Sequence, residues 1–243
     1  ICDIKVNLTK KMISNISSAG IKVVQVGVES LSDDVLKMIH KGTSTLLNIQ
    51  FLKWATLYGI ESVLNFLVGF PKEQEAWYRD VIELIPKISH LYPPTGFYPV
   101  KYYRFSDYFN KQDEYNLSLE PESAYKYVYP LDNISIADLA YYFKNTIPGV
   151  ENQNNHPAMM SNIYKTLQQL VEQWITSFNS DQASKLEMII KDNGNSSIID
   201  SRYSGDPKVV PIDNIHRNIL DYADKVVKIS ELESIGYSNS EVR

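Results

Sequence analysis

The stretch Ile21-Lys22-Val23-Val24-Gln25-Val26-Gly27-Val28-Glu29-Ser30 decides the fold. It crowds β-branched residues into a short apolar run and then stops on a glycine, a carboxylate and a hydroxyl. A run of that length and composition reads as a buried strand leaving a sheet. Helical spacing flanks it on both sides. Upstream, residues 9–19 place Met12, Ile13, Ile16 and Ala19 on one face, and Gly20 supplies a C-terminal stop. Downstream, Ser32 caps a helix running to His40, with Asp33 and Asp34 in the first turn, where the helix dipole favours them. Residues 46–58 form a second helix ended by Gly59. The next apolar run is IESVLNFLVGF from Ile60, followed by a helix over residues 74–88 with Trp77, Val81, Leu84, Ile85 and Ile88 inward. Strand-like runs also begin at Ile1 and at Phe97 (FYPVKYYRFS). Strands alternating with helices give a parallel sheet with right-handed crossovers. The near-continuous apolar character of the middle strands predicts burial on both faces. The fold class is α/β. Residues 1–110 make a partial (βα) barrel that cannot close alone, with an open edge at the first strand that invites self-association.

Residues 111–157 are a Tyr-rich connecting region with patches at residues 125–130 and 141–143, followed by a polar linker-like ENQNNH at 151–156. Such patches belong more often to a core than to a cofactor box. Residues 158–243 read as a small α+β winged-helix-like module. It comprises a helix from Ser161, a hairpin turning at Asn193-Gly194, a helix begun by Pro211, and a short helix over residues 229–235. There is no initiator Met, and the capping box Ser238-x-x-Glu241 has two residues after it. The expectation is that the natural chain continues at both ends.

Composition narrows the function classes. The chain has 243 residues, 44% of them hydrophobic, and a net charge of −5. No apolar run approaches the ~18 residues of a membrane helix, so no membrane partner is expected. The acidity argues against nucleic acid, as do the nine basic and twelve acidic residues of 161–243. No signal peptide is visible, and the single cysteine, Cys2, fits a reducing, cytoplasmic compartment. One cysteine supplies neither a disulfide nor the four ligands of an iron–sulfur cluster. His40, His90, His156 and His216 are scattered without metal-binding spacing, so no metal site is assigned to this chain.

In parallel sheets ligands gather at the carboxyl ends of strands. Asp3, Lys5, Asn7, Glu29, Ser30, Asn65, Arg104 and Ser106 fall at or near those ends. Glu29 beside Gly27 suits a ligand approaching the backbone, but equally a helix cap or a buried ion pair. Gly69 is a close-approach glycine or a plain turn. Asn65 inside an apolar strand needs a partner, either a ligand or a neighbouring backbone group.

Taken together, several motifs resemble a known family. They are Asp3-Ile4-Lys5-Val6-Asn7-Leu8, Gln25 through Ser32, Lys41-Gly42, Leu64-Asn65-Phe66-Leu67-Val68-Gly69-Phe70-Pro71-Lys72-Glu73, His90-Leu91-Tyr92-Pro93-Pro94, and Arg104-Phe105-Ser106-Asp107-Tyr108-Phe109. The set resembles the later part of radical S-adenosylmethionine enzymes that carry a cobalamin-binding domain. Within these it is most similar to maturases of ribosomally made peptides, often C-methyltransferases. The resemblance implies a radical-type partial (βα)₆ barrel of which only the last strands are present. The three-cysteine loop for a [4Fe–4S] cluster and the cobalamin domain would lie outside this chain, in a missing N-terminal part. It places Asp3 where the family has Glu holding the methionyl amine, and Glu29 at the ribose or methionyl end. Lys41 falls where a basic residue pairs with the carboxylate, and Asn65 on the ribose hydroxyls. Gly27, Ser30 and Gly69 complete the cofactor-binding set, and Arg104 and Ser106 are the candidates for substrate. Three departures stand out: Asp3 is one methylene short, Lys41 gives a point charge in place of a fork, and Lys72 replaces the usual glycine.

The implied reaction is reductive cleavage of S-adenosylmethionine by the cluster, hydrogen abstraction from a precursor peptide, and methyl delivery from cobalamin where it is used. The competing reading is a non-catalytic peptide-binding scaffold derived from such a barrel. A third is an unrelated barrel enzyme with Glu29 as general base, for which no partner residue is evident.

Overall fold

The computed structural model describes residues 2–147, 162–191, 194–203, 206–238 and 241, with residues 2–4 described by their backbone. β1 (Cys2–Ile4), α1 (Lys10–Ser18), β2 (Val23–Val26), α2 (Asp33–Met38) and α3 (Thr45–Leu57) lead into β3 (Glu61–Val63) and β4 (Asn65–Val68). A 3₁₀ turn at Glu75–Tyr78 runs into α4 (Arg79–Ile88), and β5 (Gly96–Pro99) follows. β1 pairs with β2, β2 with β3, and β4 with β5, all parallel. β3 and β4 are consecutive halves of one run, broken at Leu64, whose carbonyl accepts the Thr95 N–H at 2.7 Å. A parallel bridge between Glu29 and Phe66 extends the β2 side along β4. The spatial order of the runs is therefore the chain order, each separated from the next by helix.

Local chemistry explains the boundaries. Thr9, Ser32 and Ser44 each accept a hydrogen bond from a first-turn N–H of α1, α2 and α3. Gly20 and Gly59 take the left-handed conformation that ends α1 and α3, as the sequence predicts. The expected burial on both strand faces does not hold. Val24, Val26, Val28, Phe66 and Val68 are buried under the helices, whereas Gln25 and Asn65 are exposed on the opposite face. Burial alternates because helices cover one side of the sheet only.

The core continues into a helix far along the chain. α9 (Asn162–Phe178) buries Tyr164, Leu167, Val171 and Trp174 in the same cluster as the parallel strands, and the Trp174 indole donates to the Leu91 carbonyl at 2.9 Å. Between β5 and α9 the Tyr-rich region folds into an antiparallel sheet. Its strands are β6 (Tyr102–Tyr103), β7 (Leu119–Pro121) and β8 (Tyr142–Asn145), in the order β6-β8-β7. α5 (Asp107–Asn110), α6 (Gln112–Tyr115), α7 (Ala124–Val128) and α8 (Asn133–Leu139) connect them. A second small core holds Tyr102, Leu117, Ala140 and Phe143. The expectation that the tyrosine patches are core holds in part: Phe143 is in this core and Tyr125 packs against it, whereas Tyr127, Tyr129, Tyr141 and Tyr142 are exposed.

The C-terminal segment forms an antiparallel sheet of β9 (Leu186–Ile190), β10 (Ser196–Asp200) and β11 (Lys208–Ile212), with β10 central. The predicted hairpin is present; Asp192 and Asn193 of its turn lie outside the described residues, as does the 151–156 segment. The helix expected from Pro211 is a correction. Pro211 sits in β11, an outer strand where a missing N–H is tolerated, and α10 (Asn214–Tyr222) begins after the Asp213 cap. α11 (Ile229–Ser234) follows. Asp224 ties this end to the parallel unit: Lys10 and Lys53 reach it at 2.8 and 3.1 Å, and the Trp54 indole donates to it at 3.2 Å.

Candidate functional site

A cleft of about 670 Å³ opens at the carboxyl ends of the parallel strands. Glu29, Lys41 and Asn65 line it together, with Phe70 and the rings of Tyr98, Tyr103, Tyr108 and Tyr115.

Glu29 leaves the sheet with a positive φ of 59°. A Ser30 N–H to Val28 carbonyl bond of 2.7 Å bends the chain around it, and its own carbonyl accepts the Leu67 N–H at 2.8 Å. The bend aims the carboxylate along the cleft. Lys41 arrives from the end of α2. There the Lys41 N–H bonds the Leu36 carbonyl and the His40 N–H bonds the Lys37 carbonyl, at 3.0 and 3.1 Å. That is a Schellman end with His40 (φ 52°) in the position glycine usually fills. It brings the Lys41 ammonium 2.8 Å from Glu29 Oε1. Gly27 makes the contact sterically feasible. A β-carbon there would lie 2.6 Å from Lys41 Nζ and 3.1 Å from Glu29 Oε1.

Asn65 projects from β4, and its side-chain oxygen accepts the Thr95 hydroxyl at 3.1 Å. Ser106 also lines the cleft; its hydroxyl caps α5 by accepting from Phe109 N–H and donates to the Tyr103 carbonyl at 2.7 Å. The other predicted residues are placed elsewhere. Ser30 is buried, with its hydroxyl accepting from Ser32 N–H at 3.1 Å. Gly69 donates its N–H to Glu73 at 2.7 Å. Arg104 lies 5.2 and 5.3 Å from the ring centres of Phe109 and Phe143 and donates to the Ala137 and Ala140 carbonyls, which fastens the end of α8. Asp3 lies in β1; its side chain is outside the described residues.

Sequence reasoning missed two features. The tyrosine wall is one: Tyr98 lies near the end of β5 and Tyr103 in β6 just after it, so the strand-end rule could have found both. The other is Glu73, beneath the cleft. Its carboxylate accepts Gly69 N–H at 2.7 Å, Phe70 N–H at 3.1 Å, the Tyr78 hydroxyl at 3.0 Å and the Tyr164 hydroxyl. Burial raises its pKa against the pull of those four donors, and burial together with the Glu73 charge raises the phenols of Tyr78 and Tyr164. Glu73 thereby clamps the turn that carries Phe70 into the cleft wall.

Among the described residues, no group of three or more His, Cys, Asp or Glu is placed to hold a metal ion, and no helix is long and apolar enough to cross a membrane. The cleft thus presents a carboxylate, an ammonium, an amide and several aromatic rings side by side.

No curated protein matches the chain. Among solved structures, the chain is similar to Elp3 of the archaeon Methanocaldococcus infernus with an N-terminal deletion. Identity is 16%, the TM-score is 0.39, and the match covers 82% of this chain and 52% of that one. This chain thus spans about half the length of that structure. Residues 2–85, which carry Glu29, Lys41 and Asn65, match the Radical SAM superfamily domain.

Proposed function

We propose that this chain is part of a radical S-adenosylmethionine enzyme acting on a ribosomally made peptide, and that the cleft holds the S-adenosylmethionine. The observation that carries the reading is the convergence of Glu29, Lys41 and Asn65 in one cleft at the strand carboxyl ends. The family match over residues 2–85 supports it. So does the chain-order succession of parallel strands, the order found around a β/α barrel wall.

The residues fit this cofactor. Its methionyl end is a zwitterion, so Glu29 meets the ammonium and Lys41 the carboxylate. Asn65 both donates and accepts, which suits vicinal ribose hydroxyls. The tyrosine rings offer flat faces to adenine. The cleft volume lies within the range of roughly 300–1,000 Å³ common to small-molecule sites. The residues do not fit an iron–sulfur cluster, because Cys2 is the one cysteine. Nor is any residue tied to cobalamin. C-methylation of the peptide rests on the subgroup motifs at residues 90–94 and 104–106. With one electron from a reduced cluster held outside this chain, bound S-adenosylmethionine would supply hydrogen-abstraction chemistry. The chain's own residues bind its charged ends, orient it with the tyrosine wall and exclude water.

The test is an equilibrium titration of S-adenosylmethionine against the full-length protein and its Glu29→Ala and Lys41→Ala variants. Each variant should weaken binding at least tenfold. Unchanged affinity in both removes the cleft as the cofactor site.

A further inference from the structure

A second pocket, of about 420 Å³, lies between α7 and β8. Tyr125, Val128, Tyr129 and Tyr142 form its apolar wall, with Lys101 and Glu122 as its charged members. Three observations mark it as a built site. It neighbours the main cleft, because Lys101 lines both. An exposed row of rings also joins the two. Tyr103 of the cleft stacks on Tyr141 at 5.8 Å, Tyr141 meets Tyr142 edge-on at 5.1 Å, and Tyr103 and Tyr142 are direct partners across β6 and β8. Finally, the wall is held in place: the Tyr125 hydroxyl accepts both Tyr141 and Tyr142 backbone N–H groups at 2.9 and 3.1 Å, and its ring stacks on Tyr129.

We propose that this pocket is a side-chain subsite for an extended peptide whose reacting residue lies in the main cleft. It takes an aromatic or large aliphatic side chain neighbouring an acidic residue, the acid pairing with Lys101. The proposal rests on the peptide-modifying function above and specifies its substrate. Tyrosine rows give rigid, amphipathic contact at small entropic cost, which is how paratopes hold peptides. The charges select among ligands. Among the described residues neither Lys101 nor Glu122 forms an ion pair, so both signs are offered. A peptide can use both. An uncharged sugar chain forms an ion pair with neither, and a nucleic acid meets one cation cancelled by one anion. Adding a second anchor beyond the reacting residue raises the effective concentration of that residue at the cleft.

The experiment titrates the full chain with three blocked tripeptides, followed by chemical-shift changes: acetyl-Lys-Phe-Asp-amide, acetyl-Lys-Gly-Asp-amide and acetyl-Lys-Phe-Asn-amide. The Phe–Asp peptide should bind at least tenfold more tightly than the Gly peptide and several-fold more tightly than the Asn peptide. Val128→Glu should abolish the first preference and Lys101→Glu the second. Both positions are exposed, so both variants should keep the parent's circular dichroism spectrum. Equal binding of the three peptides, or preferences that survive both substitutions in folded protein, overturns the proposal. Peptide binding should persist in Glu29→Ala, so failure of the cofactor site and failure of this subsite appear in different titrations.

Discussion

Removing the Glu73 carboxylate should loosen the cleft from below, and the structure sets the size of the effect. Glu73→Ala deprives four donors of their acceptor: Gly69 N–H, Phe70 N–H and the hydroxyls of Tyr78 and Tyr164. An orphaned buried donor costs roughly 1–3 kcal/mol. Water entering the vacated space satisfies some of them, which brings the expected loss to about 3–5 kcal/mol, as for breaking a buried ionic network. For a chain of this size that lowers the melting temperature by roughly 6–20 °C. Glu73→Gln keeps one oxygen for Gly69 and Tyr164 and turns an amide N–H₂ toward Phe70 N–H and Tyr78. The tyrosine hydroxyl can rotate to accept, leaving one orphaned backbone N–H and a loss of about 1–2 kcal/mol. The pH dependence follows in sign. Burial raises the folded-state pKa of Glu73 above its ordinary 4.5. The stabilisation linked to the shift is therefore complete below 4.5 and fades as pH rises through the folded value. The Gln deficit should accordingly be larger near pH 4 than at pH 7. Urea unfolding of the three proteins at both pH values is the assay. An Ala loss below about 1 kcal/mol, or Ala and Gln losses that coincide, would refute the clamp.

Two further outcomes are expected. Burial, then the Arg202 charge, lowers His90 from 6.5 to about 4, with Asp200 opposing. Its contribution is complete above pH 6.5 and declines toward pH 4, by on the order of 3 kcal/mol at most; His90→Phe should flatten the stability profile over that window, and an unaltered slope in urea unfolding would count against it. Gly27→Ala places a β-carbon 2.6 Å from Lys41 Nζ, the far end of a flexible chain, so stability should change by less than about 1 kcal/mol while S-adenosylmethionine affinity falls at least tenfold; retained affinity would separate Lys41 from the ligand.

What the sequence disclosed was local. The strand and helix succession followed from apolar period and from caps such as Ser32, Gly20 and Gly59, each of which acts within one turn. Glu29 stood out because a carboxylate follows the close-approach Gly27 where an apolar strand ends. Glu73 was silent because two of its partners are backbone N–H groups and a third, Tyr164, lies 91 residues away. Pro211 misled because proline favours a helix start, yet here it sits within Lys-Val-Val-Pro-Ile, whose β-branched neighbours prefer an outer strand. One-sided burial was hidden because an apolar run does not say which of its faces a helix will cover. Asn65 and Gln25 are the residues whose polarity tells.

The geometry around Lys41 is costly in proportion to what it gains for the fold. Glu29 at φ 59° and His40 at φ 52° each occupy a conformation that disfavours side chains, at roughly 1–2 kcal/mol apiece. The Glu29–Lys41 pair they create is partly exposed, with side-chain accessibilities of 24% and 31%, and such pairs contribute about 0–1 kcal/mol. The pair does not offset the backbone that makes it, so stability alone does not account for the arrangement. Placing one anion and one cation at the same strand end does account for it when a zwitterionic ligand exchanges partners with both. It follows that relieving the strain should separate folding from binding. His40→Gly puts the preferred residue in the Schellman position and should raise stability by about 1 kcal/mol. It should keep the Schellman end that presents Lys41, so S-adenosylmethionine affinity should stay within about twofold in the more stable protein. Paired urea-unfolding and ligand titrations measure both quantities. A His40→Gly variant that is destabilised, or whose affinity changes along with stability, would show that His40 itself holds the end of α2 and that its backbone carries no strain on behalf of the cleft.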